Sequence, residues 1–307
     1  MDRKATAKET LEIMKRGTYE AHGTTIDIIK QHRASVDNSL LFTPEQAETL
    51  AATYVKREPP GRLPVMRTMN CSTVDAVLRL SREGAVNPGV LNFASAKNPG
   101  GGFLNGAMAQ EESIAASSGL YHTLIRHPEY YQNNRNCPSM IYTNHAIYSP
   151  EVVFFRNGRF ELLEEPVTAS VLTLPAVNMG QVIQKGEDIH TAETAMYERM
   201  KLALALFVQM NHRHLILGAY GCGVFRNDPY KIACWWKELL TGYFADTFDT
   251  VVFAVMDRSR KGECLRFLFI GKNTMLAQQL SSFVEYGTTL HVLIGDNTMK
   301  VKIMAAM

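Results

Sequence analysis

The chain is poor in the features that would place it outside the cell or in a membrane. Its five cysteines, Cys71, Cys137, Cys222, Cys234 and Cys264, are odd in number, widely spaced and contain no CxxC pair. That excludes a disulfide framework and a cysteine zinc site, and it points to reduced thiols in an intracellular protein. The opening MDRKATAKETLEIMKRG has no apolar signal region,. No stretch approaches the roughly 18 apolar residues of a membrane span. A cytoplasmic location is expected, with the nucleus open to a eukaryotic protein, and no membrane partner. Charge of one sign is also missing: 32 basic and 30 acidic residues leave a net charge of +2. A protein living on nucleic-acid phosphates carries a stronger basic bias, so nucleic acid is not an expected partner. The 21 Gly and 12 Pro show no period, which excludes collagen-like and low-complexity classes,. There is no internal repeat.

What is present is globular material. Hydrophobic residues make up 46% of the 307 and charged residues 20%, enough for a sizeable core and too apolar for a disordered chain. The length allows two average domains or one larger α/β domain. Residues 4–17 carry helix formers, and 24–29 alternates like a short strand. Thr43-Pro44-Glu45-Gln46 opens a second helix with a capping box and an N-terminal proline. Residues 1–60 therefore read as an N-terminal helical accessory segment packed on the main domain, 61–307. From 65 onward strands alternate with helices. Strands are predicted at 65–70, 90–94, 152–155, 167–174, 214–217 and 250–256. Helices are predicted at 72–81, 110–118, 190–210, from 228 to about 240, and at 275–283. Residues 289–294 and 299–303 form a predicted hairpin, while 120–165 reads as less regular. Such alternation specifies a mixed or mostly parallel sheet between helices, with ligands beyond the carboxyl ends of the strands.

Two apolar strands run straight into glycine-rich loops. The first is Asn92-Phe93-Ala94-Ser95-Ala96-Lys97-Asn98-Pro99-Gly100-Gly101-Gly102, followed after seven residues by Gln110-Glu111-Glu112. Consecutive glycines permit positive φ and let backbone N–H groups approach phosphate or ribose oxygens. The pattern is neither a P-loop nor a dinucleotide fingerprint, and a tight structural turn is the alternative. Glu111 and Glu112 open a helix and point about 100° apart. One could meet a reacting oxygen while the other takes a neighbouring hydroxyl, or both could be solvated first-turn carboxylates favoured by the helix dipole. A general acid there needs burial against substrate to overcome that dipole. The second loop is Gly218-Ala219-Tyr220-Gly221-Cys222-Gly223-Val224-Phe225-Arg226-Asn227-Asp228. It joins a strand to a helix, which suits either a diphosphate-binding loop or a plain strand–helix turn. Cys222 lacks an identifiable base and reads as a small residue.

Together these residues resemble the poly(ADP-ribose) glycohydrolases, specifically their shorter bacterial-type branch, over about residues 5–285. The resemblance implies a macrodomain-like fold, α/β with a mixed sheet sandwiched between helices and an N-terminal helical extension. It implies hydrolysis of the ribose–ribose O-glycosidic bond of poly(ADP-ribose) to release ADP-ribose, with no cofactor and no metal. Carried over by position, Glu112 is the acid/base and Glu111 holds hydroxyls of the adjacent ribose. Gln110 supports the loop. Asn98, Gly100, Gly101 and Gly102 hold the terminal ribose and the diphosphate. Gly221, Cys222, Gly223 and Val224 form a diphosphate loop, and Phe225 packs on the terminal ribose. The alternatives are a macrodomain that binds ADP-ribose without cleaving it, and a hydrolase of ADP-ribose on a protein or nucleic acid.

Other features carry weaker expectations. Asp75 reads either as an adenine contact or as part of a helix cap, and Asp257 as a further ligand candidate. His190 with Glu193 could supply two metal ligands, but a solvated face is the better reading. His212-Arg213-His214 reads as a polar turn, and the stretch Tyr130–Asn134 either as a contact for a polymer or, the better reading, as a surface loop.

Overall fold

Short, near-continuous apolar runs build the centre of the molecule. A computed structural model describes residues 2–56, 61–256, 290–295 and 298–303. The chain divides into two compact units, 1–270 and 271–307. In the first unit a hairpin, β1 (Thr18–Ala21) and β2 (Thr24–Asp27), stands apart from a seven-stranded sheet. The sheet comprises β3 (Leu40–Phe42), β4 (Val65–Met69), β5 (Gly89–Ala94), β6 (Ala146–Arg156), β7 (Leu162–Pro175), β8 (His214–Leu217) and β9 (Thr250–Ala254) in the order β3-β6-β7-β5-β8-β9-β4. From β7 to β4 all pairings are parallel; β3–β6 and β6–β7 are antiparallel.

Alternation along each strand divides the apolar side chains between two cores. Leu91, Leu172, Leu215, Leu217, Val251 and Phe253 face one layer of helices. That layer holds α3 (Pro44–Ala52), α8 (Met179–Lys185), α9 (Ile189–Gln209) and α10 (Pro229–Glu238). Their neighbours Val90, Val171, Ile216 and Val252 face the other layer. It holds α4 (Thr73–Arg82), α5 (Gln110–Ser117), α6 (Leu120–Leu124) and α7 (Pro128–Asn136). Because both faces are covered, these strands are buried throughout and read as near-continuous apolar runs. Each such Leu, Val or Phe contributes about 1.5–3 kcal/mol by burial.

The N-terminal segment holds two more helices, α1 (Arg3–Arg16) and α2 (Ile29–Asp37). Its strand β3 pairs with the edge of the main sheet, Phe42 opposite Ala146. Three residues are too short a run to show alternation, so the sequence alone does not reveal this strand. The Thr43 capping box of α3 is present: Thr43 N–H donates to Gln46 Oε1 and Gln46 N–H to Thr43 Oγ1.

The stretch 120–165 is more ordered than expected. It contains α6, α7 and the eleven-residue β6. The register of β6 against β7 shifts between Ser149 and Val152, where Pro150 offers no N–H and Glu151 takes a positive φ of 44°,. That bulge hides the first half of the strand from a pattern reading. Residues Tyr130–Asn134 are not a surface loop but part of α7, with Tyr130, Tyr131 and Asn134 buried. In the second unit β10 (Leu290–Gly295) and β11 (Thr298–Ile303) form the expected antiparallel hairpin. The predicted helix 275–283 and Asp257 lie outside the described residues.

Candidate active site

A cleft of about 900 Å³ opens at the carboxyl end of the parallel strands. Residues just beyond β4, β5, β7, β8 and β9 all reach it: Ser72, Ser95, Ala176, the loop 219–225, and Met256. Both glycine loops therefore meet around one space, at the edge where open α/β sheets place their ligands. Every residue from Gln110 to Glu112 lines it, as do Asn98, Gly101, Gly102 and Gly221 to Phe225. Gly100 turns beneath the loop, where a Cβ would meet Tyr121, Phe103 and Ala115.

The start of α5 is tied to β5 by side chains. Gln110 Oε1 accepts the Phe93 N–H at 2.8 Å, while its Nε2 donates to Leu91 O at 2.9 Å and Thr73 Oγ1 at 3.2 Å. Gln110 thus completes the edge of the strand and carries the next two residues to its end. Glu111 is 3% exposed. It accepts the Ser95 N–H at 2.6 Å and the Asn92 amide at 3.3 Å. Burial pushes its carboxyl up to about 8; the Ser95 and Asn92 donors pull the other way, and the neighbouring Glu112 adds to the rise,. Buried in this way, Glu111 is not a solvated first-turn carboxylate.

Glu112 has a different environment. Its Oε1 accepts the Gly102 N–H at 2.9 Å and its Oε2 the Ala109 N–H at 3.0 Å. Ala109 has no side-chain acceptor to cap α5, so Glu112 satisfies an orphan donor at the helix start. Gly101 has φ 59°. A Cβ there would collide with Glu112 Oε1 and stand 3.2 Å from Glu111 Oε2. Both carboxylates thus converge on a backbone that only glycine permits. Ser95 Oγ accepts the Lys97 and Asn98 N–H groups at 3.3 and 3.1 Å, and Asn98 O accepts that of Gly101 at 3.0 Å.

The second loop is braced from outside. Asn227 Nδ2 donates to Val177 O at 2.8 Å and Gly221 O at 3.0 Å, and its N–H to Gly221 O at 3.1 Å. Trp236 Nε1 donates to Gly218 O at 3.2 Å and Tyr220 OH to Leu174 O at 2.9 Å. Gly221 takes φ 72°, and a Cβ there would press on Ala176 and Asn227 at 2.6 Å. Among the described residues, the N–H groups of Gly221, Gly223, Val224 and Phe225 meet no protein acceptor. These residues line the cleft, and successive backbone donors without a protein acceptor suit an anion,. Cys222 Sγ contacts Tyr220 O at 3.7 Å, and the Phe225 ring lies 6.2 Å from that of Tyr142.

Three residues matter that the sequence did not single out. Asn92, fully buried in an apolar strand, bridges Glu111 and Thr173 Oγ1; a lone amide in such a run was its signal. Ser95 orders the first loop and Asn227 the second. The other candidates have these partners. Asp75 sits in the first turn of α4, where it accepts the Ser72 hydroxyl at 2.7 Å and the Gly158 N–H at 3.0 Å. Glu193 pairs with Lys231. His212 is buried, bonded to Tyr148 OH at 2.8 Å and Asn87 O at 3.1 Å. Among the described residues no three His, Cys, Asp or Glu side chains converge to hold a metal ion, and no helix is long and apolar enough to cross a membrane.

Comparison with known proteins gives a consistent picture. A family model described as the catalytic domain of microbial-type PARG matches residues 7–157. The structure of poly(ADP-ribose) glycohydrolase (PARG) from Thermomonospora curvata is 37% identical, with a TM-score of 0.82 over 87% of this chain and 98% of that one. The same enzyme bound to the inhibitor ADP-HPD is 37% identical, with a TM-score of 0.80 over 86% and 97%. The Deinococcus radiodurans enzyme in complex with ADP-ribose is 41% identical, with a TM-score of 0.71 over 77% and 95%. A sequence search among curated proteins finds no match.

Proposed function

Because the chain belongs to the microbial-type PARG family, we propose that it is a poly(ADP-ribose) glycohydrolase that cleaves the ribose–ribose O-glycosidic bond at the polymer terminus, with Glu112 as general acid/base. The observation that carries this reading is the convergence of Glu111 and Glu112 on Gly101, opposite the donor-rich loop Gly221–Phe225, in one cleft.

The reaction follows from that placement. The terminal ADP-ribose diphosphate takes the outward N–H groups of Gly221, Gly223 and Val224, which needs no basic patch. Phe225 packs on the terminal ribose, and Asn98 with Gly100–Gly102 shapes the pocket around it. Glu112 gives its proton to the leaving ribose oxygen as the C–O bond breaks, and positive charge grows on the sugar as in an oxocarbenium ion. The nearby diphosphate stabilises that charge. Water then adds to the same carbon, and Glu112 takes back its proton. Glu111, held by Ser95 and Asn92, grips hydroxyls of the adjacent ribose, and Gln110 keeps both glutamates at the strand end. No cofactor enters. Residues 1–60 act as an accessory segment to the catalytic part that starts at 61. Thr10 Oγ1 donates to Ala116 O at 2.7 Å at the end of α5, which supports this. The protein works inside the cell, in the cytoplasm or, in a eukaryote, the nucleus.

The test is turnover by purified wild-type protein and Glu112→Gln on poly(ADP-ribose), mono-ADP-ribosylated protein and ADP-ribosylated DNA. Release of ADP-ribose from the polymer should dominate. It should fall about 100- to 10,000-fold in the variant, with ADP-ribose affinity changed by less than about threefold. Turnover of a mono-modified acceptor alone, or binding without turnover, would replace this reading.

A further inference from the structure

Residues Phe103–Met108 form an arch whose two feet stand on Glu112. The N–H before it, on Gly102, donates to one oxygen of that carboxylate, and the N–H after it, on Ala109, donates to the other. The arch is closed on itself by Ala107 N–H to Gly102 O at 3.1 Å. It is seated on α1 through the buried Phe103 and through Gly106, where a Cβ would meet Lys4 at 3.2 Å and Arg3 at 3.4 Å. Leu104 and Met108 point outward, 46% and 43% exposed, and both line the same cleft as Glu112. Arg3 shares a small recess with Met108 and Glu112.

Resting on the function proposed above, we propose that this arch is the subsite for the leaving side of the polymer, and that it takes the adenosine of the penultimate unit. The bond to be cut lies at Glu112. One partner of that bond is the terminal ADP-ribose, which belongs with the N–H donors of Gly221–Phe225. The arch beside Glu112 offers the other partner a wall to leave across, and Leu104 and Met108 are exposed apolar groups on that arch. The leaving oxygen is a ribose hydroxyl of an adenosine, so a purine sits one sugar away. A flexible thioether and a branched aliphatic side chain suit a flat apolar base. The exposed guanidinium of Arg3 complements the diphosphate that follows. Because the arch hangs from both oxygens of Glu112, occupancy there also aligns the acid with the bond it cleaves.

The deciding experiment compares two substrates in wild type and in the double variant Leu104→Ser, Met108→Ser. One substrate is poly(ADP-ribose). The other is an aryl glycoside of ADP-ribose, whose leaving group is a phenol without adenosine. Both side chains are exposed, so the fold should persist, as checked by thermal unfolding. The ratio of kcat/KM on polymer to that on the aryl compound should drop about tenfold in the double variant. It should stay near wild type in Met108→Leu. An unchanged ratio in the double variant overturns the subsite while leaving the proposed function standing. A wild-type protein that turns over the aryl compound but not the polymer overturns the polymer reading, and the subsite with it.

Discussion

The two glycine loops look alike in sequence and behave in opposite ways. The first, residues 95–109, spends its backbone donors internally: on Glu111 from Ser95, on Ser95 from Lys97 and Asn98, and on Glu112 from Gly102 and Ala109. The second, 218–228, is clamped by Asn227, Tyr220 and Trp236 through its carbonyls and flanks, and among the described residues the N–H groups of Gly221, Gly223, Val224 and Phe225 meet no protein acceptor. One loop uses glycine so that two carboxylates can press against the chain. The other uses it so that a ligand can. Changes in the first should strike kcat, and changes in the second should strike affinity.

Gly101→Ala tests the first half most severely. The new Cβ meets Glu112 at a φ of 59° that only glycine takes without strain,. Displacing the acid by about 1 Å costs on the order of 100-fold in rate. Steady-state kinetics should show the larger loss in kcat; a loss confined to KM would erase the contrast between the loops.

Asn227→Ala tests the other half. It removes the clip between Gly221 O and Val177 O, each bond being worth about 1 kcal/mol or somewhat more,. Calorimetry should find ADP-ribose bound about tenfold more weakly, with kcat within about twofold of wild type. A fall in kcat at unchanged affinity would reverse the assignment.

Glu111→Gln sharpens the comparison through pH. Burial raises the Glu111 carboxyl from its ordinary 4.5 to about 8, so the folded protein holds that proton more tightly than the unfolded chain,. The stability it contributes is complete below about 4.5 and is lost as pH rises through about 8. Denaturant unfolding at pH 5 and pH 9 should therefore show wild type losing more stability than the variant across that interval.

The smallest effect lies outside both loops. His32 of α2 meets His122 of α6 at 3.0 Å, and burial pushes His32 down to about 4 from 6.5, with His122 adding to the fall. This stability is complete above about 6.5 and lost as pH falls toward 4. His32→Gln should flatten the acid limb of the stability curve and leave kinetics at pH 7 within about twofold. A kinetic change as large as that of Asn227→Ala would show that the loops are not the sole seat of function.

Much of this molecule is legible in its sequence where a local rule suffices. The strands β5, β8 and β9 announce themselves as short apolar runs, and α9 by its Met196, Met200, Leu204 and Phe207 spacing. The glycine spacing and Gln110-Glu111-Glu112 mark the site. What stayed hidden needed partners distant in the chain. β3 is a strand because β6 pairs with it, and the first half of β6 lies behind the bulge at Pro150. Tyr130 and Tyr131 look like surface residues until α7 turns them into the core. Asn92 is an oddity in an apolar strand until Glu111 arrives from nineteen residues away.

By itself, then, the sequence determined the class of fold through its alternating strands and helices, and its resemblance to a known family picked out the two loops and the pair of carboxylates. The near-zero charge, which gave nucleic acid no support as a partner, suits a site whose anion donors are uncharged N–H groups. Only the tertiary structure decided what each glutamate meets. Adjacent residues on one helix share every local propensity. Burial behind Ser95 and Asn92 separates Glu111 from Glu112, and solvation depends on which distant segments close over a side chain.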